Sequence, residues 1–191
     1  MPNDHRGPPP PRGGGESNLC SGCCKLVASL RRGYLCEPCN LLARDGAKTL
    51  ESAAYPSYFA PASPLAGLQK DYVDLLARQI ALAFARPGPE DKPLTKNQMR
   101  DFFAEVRRLV AVVGRAPAPE RRVDPTALAK LKQYAHARFG RRVVPLLFKK
   151  FVDRNVDAVL NLNSVEALKA FEQHFEAVVA YSEGVLKEPG R

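Results

Sequence analysis

The stretch Leu94–Gly114, LTKNQMRDFFAEVRRLVAVVG, decides the fold. Thr95 followed three residues later by Gln98 is a capping box, in which the Thr hydroxyl accepts from the backbone near Gln98 and the Gln side chain reaches back to the cap. A helix therefore starts at Thr95. At about 100° per residue, Met99, Phe102, Phe103, Val106, Leu109, Val110 and Val113 fill one arc of it, and that arc is core. Lys96, Arg100 and Arg107 fall within roughly 40° of one another on the edge of this arc. Taken alone, such an edge is ordinarily a solvated charged face, so its meaning depends on the rest of the chain.

The charge is unevenly distributed. The 191 residues carry 29 Lys+Arg against 20 Asp+Glu, and from Lys92 to Arg154 there are 16 basic and 5 acidic residues. The segment from Asn155 to Arg191 reverses the balance, with 3 basic and 6 acidic. A cationic patch concentrated in the middle of a fold favours a polyanion, because each neutralised phosphate releases condensed counterions. No apolar run approaches the ~20 residues of a membrane span, and the start is polar and proline-rich, so a cytoplasmic location is expected.

Residues 1–18 are dominated by Pro and Gly, with almost nothing to bury, and should be a disordered tail. Residues 19–45 contain five cysteines. Cys20 and Cys23 form one C-x2-C, Cys36 and Cys39 another, with twelve residues between them. Two such knuckles let four thiolates close a tetrahedron around structural zinc; with no open coordination position, the metal folds the module and performs no chemistry. Disulfide pairing and a redox C-x-x-C are the competing readings. Cys24 leaves the choice of ligand open, since it could replace Cys23. Arg31, Arg32 and Tyr34 lie between the knuckles and either touch nucleic acid or simply form the exposed loop.

Residues 46–63 read as a linker, with Tyr55, Tyr58 and Phe59 available to dock onto the helical domain after it. Residues 64–187 then read as about five helices. The first runs from Leu65 to Ala85, started by Ser63-Pro64, with Leu68, Tyr72, Leu75, Leu76, Gln79, Ile80 and Leu82 on its inner side. After the Thr95 helix comes one from Pro125 to Phe139, capped by Asp124 and burying Leu128, Leu131, Ala135 and Phe139. The fourth has Pro145 near its start, where the missing N–H costs least. The fifth, capped at Asn163 or Ser164, runs to about Lys187 and buries Leu168, Phe171, Phe175, Val178, Val179 and Val185. Residues 188–191 are a tail. The expected fold is thus all-α, a small bundle preceded by a four-cysteine module resembling a zinc ribbon.

Catalysis finds little support. There is no G-x-S-x-G, no Gly-rich phosphate loop and no H-E-x-x-H, and His5, His136 and His174 share no helix-face spacing. His174, at the edge of an apolar arc, reads as a packed structural histidine. Asp153 and Asp157 are four apart and could share a face, but carboxylates so placed usually stay solvated.

Three blocks carry a resemblance. Leu94-Thr95-x-x-Gln98-Met99-Arg100, then Leu131-Lys132-x-Tyr134-Ala135-x-Ala137-Arg138, then Phe171-x-x-x-Phe175-Glu176-Ala177-Val178-Val179-Ala180-Tyr181 resemble, in that order, the small subunit of the type III-A CRISPR effector, the Csm complex. The resemblance implies an all-helical, non-catalytic antiviral-defence subunit, present in several copies beside other subunits and the guide RNA paired to target RNA. It does not extend to the first 60 residues. A protein that serves any guide cannot read bases, so contacts to phosphate, ribose and duplex shape are expected. Arg100 and Arg138 come first, through their motif positions; charge adds Lys96, Arg107, Lys132, Arg141, Arg142, Lys149 and Lys150. Tyr134 and Tyr181 either stack on a base or pack in the core. The alternative from another class is an adaptor, a zinc ribbon plus helical bundle that binds an acidic protein partner.

Overall fold

The computed structural model describes residues 19–30, 35–59, 68–86, 91–118 and 121–188. Among these are six α-helices: α1 Glu37–Glu51, α2 Leu75–Phe84, α3 Lys96–Arg115, α4 Pro125–Gly140, α5 Leu146–Leu162 and α6 Val165–Ser182. Apart from isolated bridges there is no strand in the described residues, and no helix is long and apolar enough to cross a membrane. The expected N-terminal tail, the Ser63-Pro64 start and Arg31, Arg32 and Tyr34 lie outside the described residues.

The helix starts follow the local chemistry. Thr95 Oγ1 accepts from the Gln98 N–H at 3.3 Å and Gln98 Oε1 accepts from the Thr95 N–H at 3.0 Å, completing the capping box. Asp124 accepts from the Thr126 N–H at 2.8 Å, with Pro125 in the first turn. Ser164 accepts from the Ala167 N–H at 3.0 Å, while the preceding Asn163, in the left-handed conformation, closes α5.

Three boundaries differ from expectation. The segment from Asp45, which lacks a sustained apolar period, continues α1 to Glu51. Its glycine is a contact, since a Cβ on Gly46 would stand 2.2 Å from the Gln79 carbonyl oxygen, and only Gly lets α1 and α2 cross so closely. The helix expected from Leu65 begins only at Leu75. Before it stands a 3-10 turn, Lys70–Tyr72, and the Tyr72 carbonyl, which a longer helix would use internally, faces His174 Nδ1 at 2.6 Å. Leu75, expected inside, is consequently exposed. At the other end α6 stops at Ser182, whose hydroxyl donates back to the Val178 carbonyl at 2.7 Å. The chain then turns so that Leu186 enters the core and the Lys187 carbonyl accepts from the Lys96 N–H at 3.3 Å.

α2 is the central element, touching α1, α5 and α6, and Ala77 and every residue from Ile80 to Phe84 are buried. Around it Phe84, Phe102, Phe148, Phe151, Phe171 and Phe175 are fully buried and meet mostly edge to face or tilted, as at Phe84–Phe148, 5.4 Å between centroids. Each such ring contributes about 1.5–3 kcal/mol through burial. Leu50, Tyr55 and Tyr58 belong to the same core, so the segment after α1 docks on the bundle as expected.

A buried polar network pins that segment. His174 Nε2 lies 2.8 Å from the Tyr55 hydroxyl, which accepts from Asn155 Nδ2 at 3.0 Å, and Asn155 Oδ1 accepts from the Tyr58 hydroxyl. The remaining Asn155 amide hydrogen goes to the Phe151 carbonyl at 2.7 Å. Every group finds a partner when His174 is neutral with its proton on Nδ1, given to the Tyr72 carbonyl. Burial holds its pKa down at about 4, against the raising effect of that carbonyl.

Candidate metal centre and nucleic-acid interface

The four cysteines come together as spaced. The chain turns tightly after Cys20: its N–H donates to the Lys25 carbonyl at 3.0 Å, its carbonyl accepts from the Cys24 N–H at 2.8 Å, and Leu19 bridges antiparallel to Leu26. Cys36 is the N-cap residue of α1 and Cys39 lies in its first turn, so the second pair sits on a helix start instead of a second ribbon hairpin. The sulfurs of Cys20, Cys23, Cys36 and Cys39 all lie within 4.8 Å of one another. Cys24 has φ +55°, the conformation that lets the turn close, and its side chain is exposed, so Cys23 is the one that joins the cluster.

The geometry fits a tetrahedral cation. Cys23 Sγ and Cys36 Sγ are 3.7 Å apart, close to the about 3.8 Å edge of a tetrahedron with metal–sulfur bonds of about 2.3 Å. That separation is far beyond a disulfide bond of about 2.05 Å. Electrostatics agree. Burial opposes the Cys20 thiolate, but the N–H groups of Cys36, Gly22 and Cys23 outweigh it and bring its pKa to about 6. Burial, then the neighbouring sulfurs, push Cys39 well above the usual thiol range. One thiolate is thus favoured and the fourth is opposed until a cation neutralises the group. The packing is tight: a Cβ on Gly22 would stand 2.8 Å from Leu82 Cδ2 and 2.9 Å from Cys39 Sγ.

The basic residues divide into two groups. Arg100 makes a bidentate pair with Glu183, Nη2 to both oxygens at 2.8 Å, and Lys96 Nζ lies 3.7 Å from Glu183 and 3.4 Å from Glu188. Lys132 pairs with Asp157 at 2.7 Å, Lys149 with Asp153 at 2.7 Å and Lys150 with Glu51 at 3.0 Å. Asp153 also faces His136 at 3.0 Å, so Asp153 and Asp157 are each taken up by basic neighbours. The second group forms no carboxylate ion pair among the described residues. Arg107 lies over Phe103, its guanidinium carbon 5.9 Å from the ring centre. Arg138 lies over Tyr134 at 4.7 Å and donates to its hydroxyl. Arg141 and Arg142 follow at the exposed end of α4. Lys92, indicated in the sequence only by regional charge, lines a cleft of about 270 Å³ together with Arg142.

Tyr134 is half-buried against Phe102, 4.7 Å between ring centres, whereas Tyr181 is exposed with its hydroxyl 3.2 Å from Asp74. The carboxylates of the basic region are less scattered than their spacing suggests. Asp101, Glu105 and Asp124 line one cleft of about 760 Å³ between α3 and α4, together with Arg108 and Lys130. Arg108 bonds Glu105 at 2.8 Å. Among the described residues, the cysteine sulfurs are the one group of three or more potential ligands that converge closely enough for a metal.

A family model described as Csm2 Type III-A matches residues 70–184. The match runs from the turn before α2 to just beyond α6, and leaves out α1 and all four clustered cysteines. No curated protein and no solved structure gives a significant match.

Proposed function

Because this chain belongs to the Csm2 Type III-A family, the small subunits of the type III-A Csm effector, we propose that it is a non-catalytic subunit that contacts the backbone of guide and target RNA without reading sequence. The observation that carries the RNA contact is the end of α4, where Arg138, Arg141 and Arg142 form no carboxylate ion pair among the described residues and Arg142 shares a cleft with Lys92 and Asp91. Guanidinium groups on a rigid helix end suit phosphate oxygens, and none is set in a groove-reading element that could discriminate bases. Lys96, Arg100, Arg107, Lys132, Lys149 and Lys150 complete the proposed contact set, most of them through cations that must first exchange a carboxylate for a phosphate.

The cluster of Cys20, Cys23, Cys36 and Cys39 is proposed to hold structural zinc. A soft, closed set of four sulfur donors suits that metal, and it would secure the knuckle against α1 and α2 without an open position for chemistry. Association with the other Csm subunits, in several copies and in the cytoplasm, completes the reading. An acidic protein partner would suit the same cations, but family membership favours RNA. Expression of the chain with its neighbouring subunits tests this: the assembled complex should co-purify with short processed RNA, and an RNA-free assembly would leave the adaptor.

A further inference from the structure

The acidic excess after Asn155 has a specific destination. Glu183 and Glu188 flank a turn that is firmly held: Leu186 is buried in the main core, Val185 packs against both apolar clusters, and Lys187 bonds the backbone of Lys96. A Cβ on Gly184 would lie 3.6 Å from the Ser21 carbonyl, so the turn also rests against the cysteine knuckle. This fixed backbone carries both carboxylates onto the first turns of α3, where Glu183 takes Arg100 in a fork and shares Lys96 with Glu188. Arg100 and Lys96 lie on the line of cations drawn from the sequence of α3.

A carboxylate that engages a guanidinium through two oxygens offers it the same geometry as a phosphate. The Arg100–Glu183 pair is open to solvent, with side chains 50% and 41% exposed, and exposed ion pairs are weak; Lys96, beside it, is only 17% exposed. We infer that the turn from Glu183 to Glu188 is a built-in phosphate mimic, which covers a second RNA-backbone surface on Lys96 and Arg100 until a polyanion displaces its two carboxylates. This rests on the RNA-contact reading above. Lys92, four residues before Lys96, lines one cleft with Arg142 and Asp91, which brings the segment leading into α3 beside the end of α4. A backbone anchored at Arg138, Arg141 and Arg142 is therefore presented to Lys96 and Arg100 at high local concentration, whereas a lone anion is not. Only the glutamate side chains swing away; the turn, held by Leu186 and the Lys187 carbonyl, stays.

The test uses the full chain and a labelled RNA duplex of roughly 20 base pairs, with affinity measured against salt. E183Q/E188Q should bind about three- to tenfold tighter than wild type at low salt and steepen the salt dependence by about one to two, since two further cations become free to release counterions. Adding K96Q/R100Q to that variant should cancel the gain, and K96Q/R100Q alone should weaken binding, because RNA that displaces the two glutamates then finds no cations beneath them. Circular dichroism verifies that each variant keeps its helices. Wild-type affinity in E183Q/E188Q, with binding still lost in R138E/R141E/R142E, overturns the mimic and leaves the RNA reading standing. A gain that survives K96Q/R100Q marks a general charge effect and also overturns it. No change in any variant, the α4 triple included, removes both.

Discussion

His174 Nδ1 and the carbonyl oxygen of Tyr72 stand 2.6 Å apart, a bond that ends the preceding turn and fixes the proton on a fully buried ring. Because burial holds the folded pKa at about 4 while the unfolded ring titrates near about 6.5, the unfolded state takes up the proton first as pH falls. The stabilisation is complete above about pH 6.5 and is lost progressively down to about pH 4, amounting to roughly 3 kcal/mol. Urea unfolding of wild type and H174Q across that range should give a steep and a flatter profile; parallel profiles would place the titration elsewhere.

The cysteine cluster predicts about one zinc per chain by metal analysis. C36S should lose the metal while the main helical signal persists, since the phenylalanine core does not include the cysteines. C24S should keep it, because the Cys24 side chain is exposed and apart from the other four. Metal-free, fully folded wild type would refute the centre.

Charge reversal at the end of α4 separates backbone contact from base readout. Each of R138E, R141E and R142E should weaken binding of the assembled complex to unrelated guide–target pairs alike, and lower the salt slope by about one per lost contact. A loss confined to one guide sequence would mean that bases are read.

Two glycine-to-alanine changes should have opposite signs. Both Gly46 and Gly114 are helical, and alanine is worth up to about 1 kcal/mol more in a helix interior. At Gly114 nothing lies within 4 Å of an added Cβ, so G114A should raise the melting temperature slightly. At Gly46 the Cβ would collide with the Gln79 carbonyl, and G46A should destabilise by about 1–3 kcal/mol despite the gain in propensity. Equal effects would show that α1 and α2 separate without cost.

The purified chain should leave RNA intact in magnesium or manganese near neutral pH. The acidic cleft between α3 and α4 is its best candidate for cation-assisted cleavage, yet Glu105 is engaged by Arg108 and Lys130 stands in the same wall. Cleavage that vanishes in D101A/D124A would reverse the non-catalytic reading.

Much of this arrangement is legible in the sequence where a local rule dominates. The Thr95 capping box, the Asp124-Pro125 start and the doubled C-x2-C each specify their outcome within a few residues. What escapes is set by distant partners. The stretch from Gly46 reads as linker until Gln79 is seen packed against that glycine, and Leu65–Ala85 reads as one helix because nothing nearby reveals that His174 claims the Tyr72 carbonyl. The proposed RNA residues divide for the same reason. Helical spacing puts Lys96 and Arg100 on one edge, but their glutamate partners lie more than eighty residues away in the sequence.

Val185 packs against both the main core and the small cluster around the cysteines, which otherwise draws on α1, the knuckle and Leu82 of α2. In the order of synthesis, the cysteine module cannot be sealed until α6, the last of the described helices, has emerged from the ribosome. The cysteines can gather early, but their apolar seat is finished from the other end of the polypeptide, which makes the N-terminal module a late and long-range folding event.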